Sequence, residues 1–273
     1  MSAIYTFSKL IYFDTNILSH LANHQELWHR LFQYCSDNDL ALAVTNAQLV
    51  ELHDADRLYD KLIALFLNAP SVLIKPVEMI REMETTVHPS TVSPDSILLV
   101  SLNSLLEKPD GPTQFRTFLA SDGLATGRGS QRQHAKRMPQ VLDERKKNFP
   151  PSKTGLYTRH QADKFVRLTM RQWLSQSNAS FLNRYKNNFD ALNIETFRSI
   201  RLYGYVIFYK YYLGQRKPKK PSDFGDLAHS LYLPYCEVVV IERDLCNVLN
   251  QIKQNHNVLD STKLYDIDFF KGW

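Results

Sequence analysis

Cysteine is scarce in this chain, and the little there is forms no pattern. Cys35, Cys236 and Cys246 are the three among 273 residues. None lies in a CxxC pair, and an odd number argues against a closed disulfide framework, so a reducing compartment is expected. Long apolar runs are lacking too. The longest membrane candidate, residues 202–213, has only twelve residues and is interrupted by Lys210, where a membrane-spanning helix needs about 20. No basic region followed by an apolar stretch opens the chain, so it does not read as a secretory signal. Internal repeats and low-complexity tracts are missing as well. These absences lead to the expectation of a soluble, cytoplasmic protein with no membrane partner.

What is present is an ordinary globular composition, 44% hydrophobic and 22% charged, on a chain long enough to bury a sizeable core. The formal charge of +5 is unevenly placed. Between Leu124 and Lys153, the eight basic residues Arg128, Arg132, Lys136, Arg137, Arg145, Lys146, Lys147 and Lys153 stand against Asp143 and Glu144, a local +6 that leaves −1 for the rest. Such a segment fits contact with a polyanion, because neutralising phosphates releases counterions. A solvated basic loop has the same composition.

Apolar periodicity sets out the elements. The run 10–13 reads as a strand that stops on Asp14. Ile17, Leu21, Trp28, Leu31, Phe32 and Cys35 recur at helical spacings and predict one amphipathic helix over 17–35. A strand over 40–44, a helix over 47–52 capped by Thr45 or Asn46, a helix over 56–68 and a strand over 72–74 follow. This alternation points to an α/β fold with a parallel sheet covered by helices. Residues 77–103 are mostly helical in pattern, with a Pro-interrupted turn over 88–94. Residues 107–157, rich in Gly, Pro, Ser and basic residues, read as a loop. The stretch 159–213 carries Phe165, Leu168, Trp173, Leu174, Phe181, Tyr185 and Phe189 at helical spacings and predicts two or three helices. The aromatics over 203–212 read as core sooner than as a base-stacking platform. After a basic connector, 215–220, the α/β pattern resumes with a helix around Asp226 and the strand 238–241.

The acids fall at telling places. Asp14 closes the first strand, where open parallel sheets gather their chemistry; it also suits a helix cap. Glu51 lies late on the second helix pattern, with Asp54 and Asp56 as substitutes. Asp223 suits a helix cap and Asp226 its first turn; three apart, they share a face. Asp244 follows the last strand, or caps a helix beginning at Leu245. His229 lies one turn beyond Asp226. His20 and His24 also share a face, but without a Glu between them or a third ligand they do not make a zinc site.

Asp14-Thr15-Asn16, Glu51, Asp226 and Asp244, in that order and on those elements, resemble the PIN-domain nuclease superfamily. The resemblance covers roughly 4–76 and 220–265 and leaves the middle outside it. It implies a three-layer α/β/α core over 1–76 and 220–273, with a central parallel sheet of about four to five strands. A helical insertion over 77–219, carrying the basic loop 124–153, interrupts that core. It further implies that Asp14, Glu51, Asp226 and Asp244, with Asp223 as auxiliary, hold Mg²⁺ or Mn²⁺. Thr15, Asn16, His229 and Glu242 would support them. On local charge rather than on the resemblance, Arg128, Arg132, Lys136, Arg137, Arg145, Lys146 and Lys147 are the expected nucleic-acid-binding residues. Glu242 departs from the family, standing where a Thr often precedes the last acid.

Hard cations prefer oxygen ligands, and clustered carboxylates repel one another unless a cation offsets the charge. The resemblance therefore implies an endoribonuclease that hydrolyses RNA phosphodiesters without a Ser, His or Cys nucleophile. A non-cleaving PIN-like nucleic-acid-binding or assembly module is the alternative, and a flap-endonuclease-like DNA nuclease a further one. An inhibitory or regulatory protein partner and a homodimer are both compatible with the sequence.

Overall fold

The computed structural model describes residues 9–86, 92–174, 193–218 and 222–271. The turn at 88–91, Phe181, Tyr185, Phe189, Lys219 and Lys220 lie outside the described residues.

Strand β1 (Lys9–Phe13) is followed by α1 (Thr15–Asn23) and α2 (Trp28–Asp37), then β2 (Leu40–Val44), α3 (Asn46–Leu52), α4 (Tyr59–Asn68) and β3 (Ser71–Ile74). The single helix expected over 17–35 is two. His24 leaves helical geometry at φ −118°, ψ 74°, and a short 3₁₀ turn, Gln25–Leu27, separates the halves. Both halves keep their apolar stripes, which is why periodicity alone joined them.

Next come α5 (Val77–Thr86), the short α6 (Pro94–Ile97), β4 (Leu98–Ser101), α7 (Leu102–Leu106), α8 (Gly111–Leu119) and α9 (Asp122–Asn148). Two expectations are corrected here. Residues 98–101 form a strand rather than helix, pairing antiparallel with β3 along an edge that leaves Leu99 and Val100 exposed. The basic segment 124–153 is mostly a helix of 27 residues rather than a loop. Its buried contacts, Leu124, Gln131, Met138 and Leu142, recur at seven, seven and four. That stripe is too narrow to stand out among the polar residues.

The described chain continues with α10 (Ala162–Leu174), α11 (Arg198–Ile207), a π-helical turn Phe208–Leu213, α12 (Ser222–Ser230), β5 (Val238–Val240), α13 (Arg243–Asn255) and β6 (Lys263–Tyr265). The sheet has six strands in the order β4-β3-β2-β1-β5-β6, all parallel except β4. The resemblance implies about four to five; the helical pattern over 77–103 hides β4, and β6 is only three residues long.

Period-two alternation assigns the faces. Leu10, Tyr12, Ala41 and Ala43 enter one core, with Phe165, Val166, Tyr205, Phe208 and Leu249. Ile11, Phe13, Leu40, Leu42 and Val44 enter the other, with Leu18, Leu31, Leu62 and Phe115. Helices cover both faces, so the architecture is layered α/β/α. Segment 77–219 supplies β4, and α10 and α11 within it pack directly on the sheet core. Most of the aromatics over 203–212 are buried there, as expected.

The chain builds outward from β1 to β2 and β3 on one side, and then returns to place β5 and β6 on the other. The strand order therefore switches between β1 and β5. Ligand crevices of open α/β sheets form at the carboxyl end of such a switch.

Candidate active site

Asp14 stands at that switch. It is the N-cap of α1, and its Oδ1 accepts the Ile17 N–H at 2.8 Å. Its Oδ2 accepts the Glu242 N–H at 2.7 Å, tying the end of β1 to the end of β5. The residue is only 7% exposed. Burial pushes its carboxyl up to about 6; the two backbone N–H groups and His229 pull downward, and Glu242 adds to the rise.

Thr15 and Asn16 turn their side chains to the neighbouring acids. Thr15 Oγ1 donates to Glu51 Oε2 at 2.5 Å, and Asn16 Nδ2 donates to Glu242 Oε1. Glu51 is placed by α3, whose cap is Thr45 with a reciprocal bond from Gln48. Gln48 also reaches the Phe13 carbonyl at the end of β1. The Glu51 carboxylate further accepts from His229 Nε2 at 3.1 Å and Gln131 Nε2 at 3.1 Å. Burial alone would raise Glu51, but the charge and hydrogen bond of His229, helped by Thr15 and Gln131, hold it down to about 2.

His229 is buried, with Nδ1 at 2.5 Å from the Tyr12 hydroxyl. Burial favours the neutral ring, yet Glu51, with Asp14 and Asp226 beyond it, lifts its pKa above the ordinary 6.5. When protonated, the ring donates from both nitrogens. α12 can bring His229 this close because residue 225 is glycine: a Cβ there would overlap Glu51 Oε1.

Asp226, on the same helix, pairs through Oδ2 with Lys210. Lys210 is 1% exposed and belongs to the π-helical turn, a local widening often found at functional sites. Burial raises the Asp226 pKa, Lys210 opposes the rise, and Glu242 adds to it. Asp223 lies in the first turn of α12, where its carbonyl accepts the Tyr211 hydroxyl at 3.1 Å.

Glu242, read from sequence as a supporting residue, occupies the helix-cap position of α13 and its charge acts on both Asp14 and Asp226. Asp244, expected at the strand's end, lies one residue inside α13 and gives both oxygens to Arg216, one at 2.6 Å from Nη2. Thus Asp14, Glu51, Asp226, Glu242 and His229 are brought together, and Asp244, paired with Arg216 and half-exposed, lies at their margin within reach of the Lys210 charge.

The basic residues divide in the same way. Arg128 and Arg132 donate to Asp54, at 3.1 and 2.6 Å. Lys136, Arg137 and Lys147 are exposed along α9. Arg145 and Lys146 are half-buried at its carboxyl end, and the Lys146 ammonium lies 5.6 Å from the centre of the Tyr212 ring.

Sequence reasoning missed Tyr12, Gln48, Gln131, Lys210, Arg216 and Gly225 as parts of this neighbourhood. Lys210 alone had a signal, a charge inside an apolar run.

The donor set fits a hard divalent cation in kind. Asp14, Glu51, Asp226 and Glu242 offer oxygen only, beside the Lys210 side chain and the His229 ring. As the side chains stand, no three His, Cys, Asp or Glu among the described residues are arranged to hold one ion. The reason is visible in the bonds above: Asp226 is turned to Lys210, Glu51 to His229, and Asp14 to two backbone amides. Comparison with protein-family models, characterised proteins and solved structures yields no match. The residues alone therefore carry the functional reading.

Proposed function

We propose that this protein is a PIN-like, divalent-metal-dependent endoribonuclease whose acid set is Asp14, Asp226 and Glu242, with Glu51 beside them. The observation that carries this reading is the gathering of Asp14, Glu51, Asp226 and Glu242 at the β1/β5 switch, beside Lys210 and His229. A bound Mg²⁺ or Mn²⁺ would supply Lewis-acid activation of water and of a phosphodiester.

The chain's own residues then have distinct tasks. Asp14 is held rigidly by two backbone N–H groups, so it presents its remaining lone pairs in a fixed direction. Glu51 stays ionised because His229, Thr15 and Gln131 donate to it. Lys210 holds Asp226 by a buried ammonium beside which an added negative charge, such as a phosphate, is stabilised. Asn16 fixes Glu242 at the rim.

Purified protein should cleave RNA with Mn²⁺ or Mg²⁺, stop in chelator, and lose the activity in both Asp14→Asn and Asp226→Asn. Cleavage that persists in both variants and resists chelator would overturn the proposal. A second reading, a non-cleaving nucleic-acid-binding module, draws on the ion pairs that already engage Asp226 and Asp244. Salt-dependent RNA binding without metal-dependent turnover would favour it.

A further inference from the structure

A cavity of about 570 Å³ lies between the carboxyl end of α9 and the chain just after the π-helical turn. Its volume is within the ~300–1,000 Å³ typical of small-ligand sites. Lys146, Tyr157, Tyr212, Arg216, Lys217 and Asp143 are among its lining residues. Three features give it a chemistry. The Tyr157 ring is half-buried, meets Tyr212 edge-on at 5.1 Å between centroids, and is anchored by its hydroxyl to the Phe149 carbonyl at 2.8 Å. The Tyr212 ring, fully buried, backs the cavity wall beneath the Lys146 ammonium, which lies 5.6 Å from its centre. Three basic side chains line the cavity against one acid, and Arg216 reaches from it to Asp244 at the acid edge.

An aromatic ring and basic groups around one cavity match two parts of a nucleotide, base and phosphate. Continuity with the acid edge through Arg216 indicates a polymer running from one site to the other. We propose that this cavity seats one nucleotide of a single-stranded RNA, its base against Tyr157 and its flanking phosphates on Lys146 and Lys217. The inference rests on the nuclease reading above and names the strand's path. A duplex keeps its bases stacked and out of reach of Tyr157, so the bound strand is single. The same placement explains why α9 carries basic residues at its carboxyl end while Arg128 and Arg132 are engaged by Asp54.

The test is anisotropy of a short end-labelled single-stranded RNA with the full-length protein in chelator, across a salt series. Tyr157→Ala should weaken binding about tenfold. A strand of abasic ribose-phosphate should bind wild type and Tyr157→Ala alike. Lys146→Gln should weaken binding and lower the salt slope by about one ion. Should Tyr157→Ala fail to fold by circular dichroism, Lys146→Gln, a change on a half-exposed side chain, keeps the test intact. Wild-type affinity and salt slope in folded Lys146→Gln and Tyr157→Ala would overturn the inference. Because binding is read without metal, the two proposals fail separately. A wild type that binds RNA through these residues but never cleaves it sinks the nuclease reading alone. A wild type that cleaves with metal, while both variants bind normally, sinks this one alone.

Discussion

The two edges of the sheet are built from the same strands and differ in charge. At the amino edge, before β5 and β6, a cavity of about 270 Å³ is lined by Arg198 and Arg201 and by Glu195 and Asp260, two of each sign. At the carboxyl edge, Asp14, Glu51, Asp226 and Glu242 face Lys210 and His229. The amino edge is balanced by its own residues. At the carboxyl edge the acids outnumber the basic side chains beside them. Burying unbalanced carboxylates is costly, and under the proposed nuclease reading this is where stability is given up for chemistry.

The largest effect should come from removing the best-buried acid of the carboxyl edge. Asp14→Asn should lower metal-dependent RNA cleavage on the order of a thousandfold, a loss of several kcal/mol of barrier reduction. Arg198→Gln at the amino edge should cleave as wild type. Equal losses in both variants, read by a gel assay of labelled RNA, would erase the contrast between the edges.

Next in size is Lys210→Met. Removing one partner of a buried pair leaves an uncompensated charge, here the partly exposed Asp226, and should cost about 3 kcal/mol in metal-free protein. If the ammonium and a metal ion serve the same carboxylate, added Mn²⁺ should recover more thermal stability in the variant than it adds to wild type. A melting-temperature gain of the same size in both proteins would show that Lys210 and the ion act independently.

The smallest effect is in pH dependence, where the acids of one edge work in opposite directions. Glu51 is held down to about 2 from an ordinary 4.5. Its contribution to stability is therefore present above pH 4.5 and lost as pH falls through that lower value. His229 is raised above 6.5, so its contribution is present below pH 6.5 and lost as pH rises through its folded value. Asp14, raised to about 6 from 3.8, instead costs stability as pH rises across that window. Urea unfolding over a pH series should show an alkaline decline in wild type that is missing in His229→Gln. The same decline in both would remove the His229–Glu51 pair from the account.

The sheet was legible from sequence because β1, β2, β3 and β5 carry apolar or small residues on both faces, as buried parallel strands do. What escaped were the elements whose signal is thin. α9 buries only a narrow stripe, and β4 leaves its outward side chains exposed. The positions of Asp14, Glu51 and Asp226 on their elements were legible from sequence. Glu242 caps α13 and Asp244 pairs with Arg216 because the strand ends two residues before Glu242 and α13 begins between the two acids, a difference of one residue that no spacing rule resolves. Lys210 and Arg216, which set the state of two acids, come from the π-turn and the connector after it. Nothing local ties those positions to the carboxyl edge.

The most direct test is Mn²⁺ binding to metal-free protein, followed by the loss of the free-ion electron paramagnetic resonance signal, in wild type, Asp14→Asn and Arg198→Gln. Wild type and Arg198→Gln should bind the ion, and Asp14→Asn should not. No binding by wild type, or undiminished binding by Asp14→Asn, would contradict it.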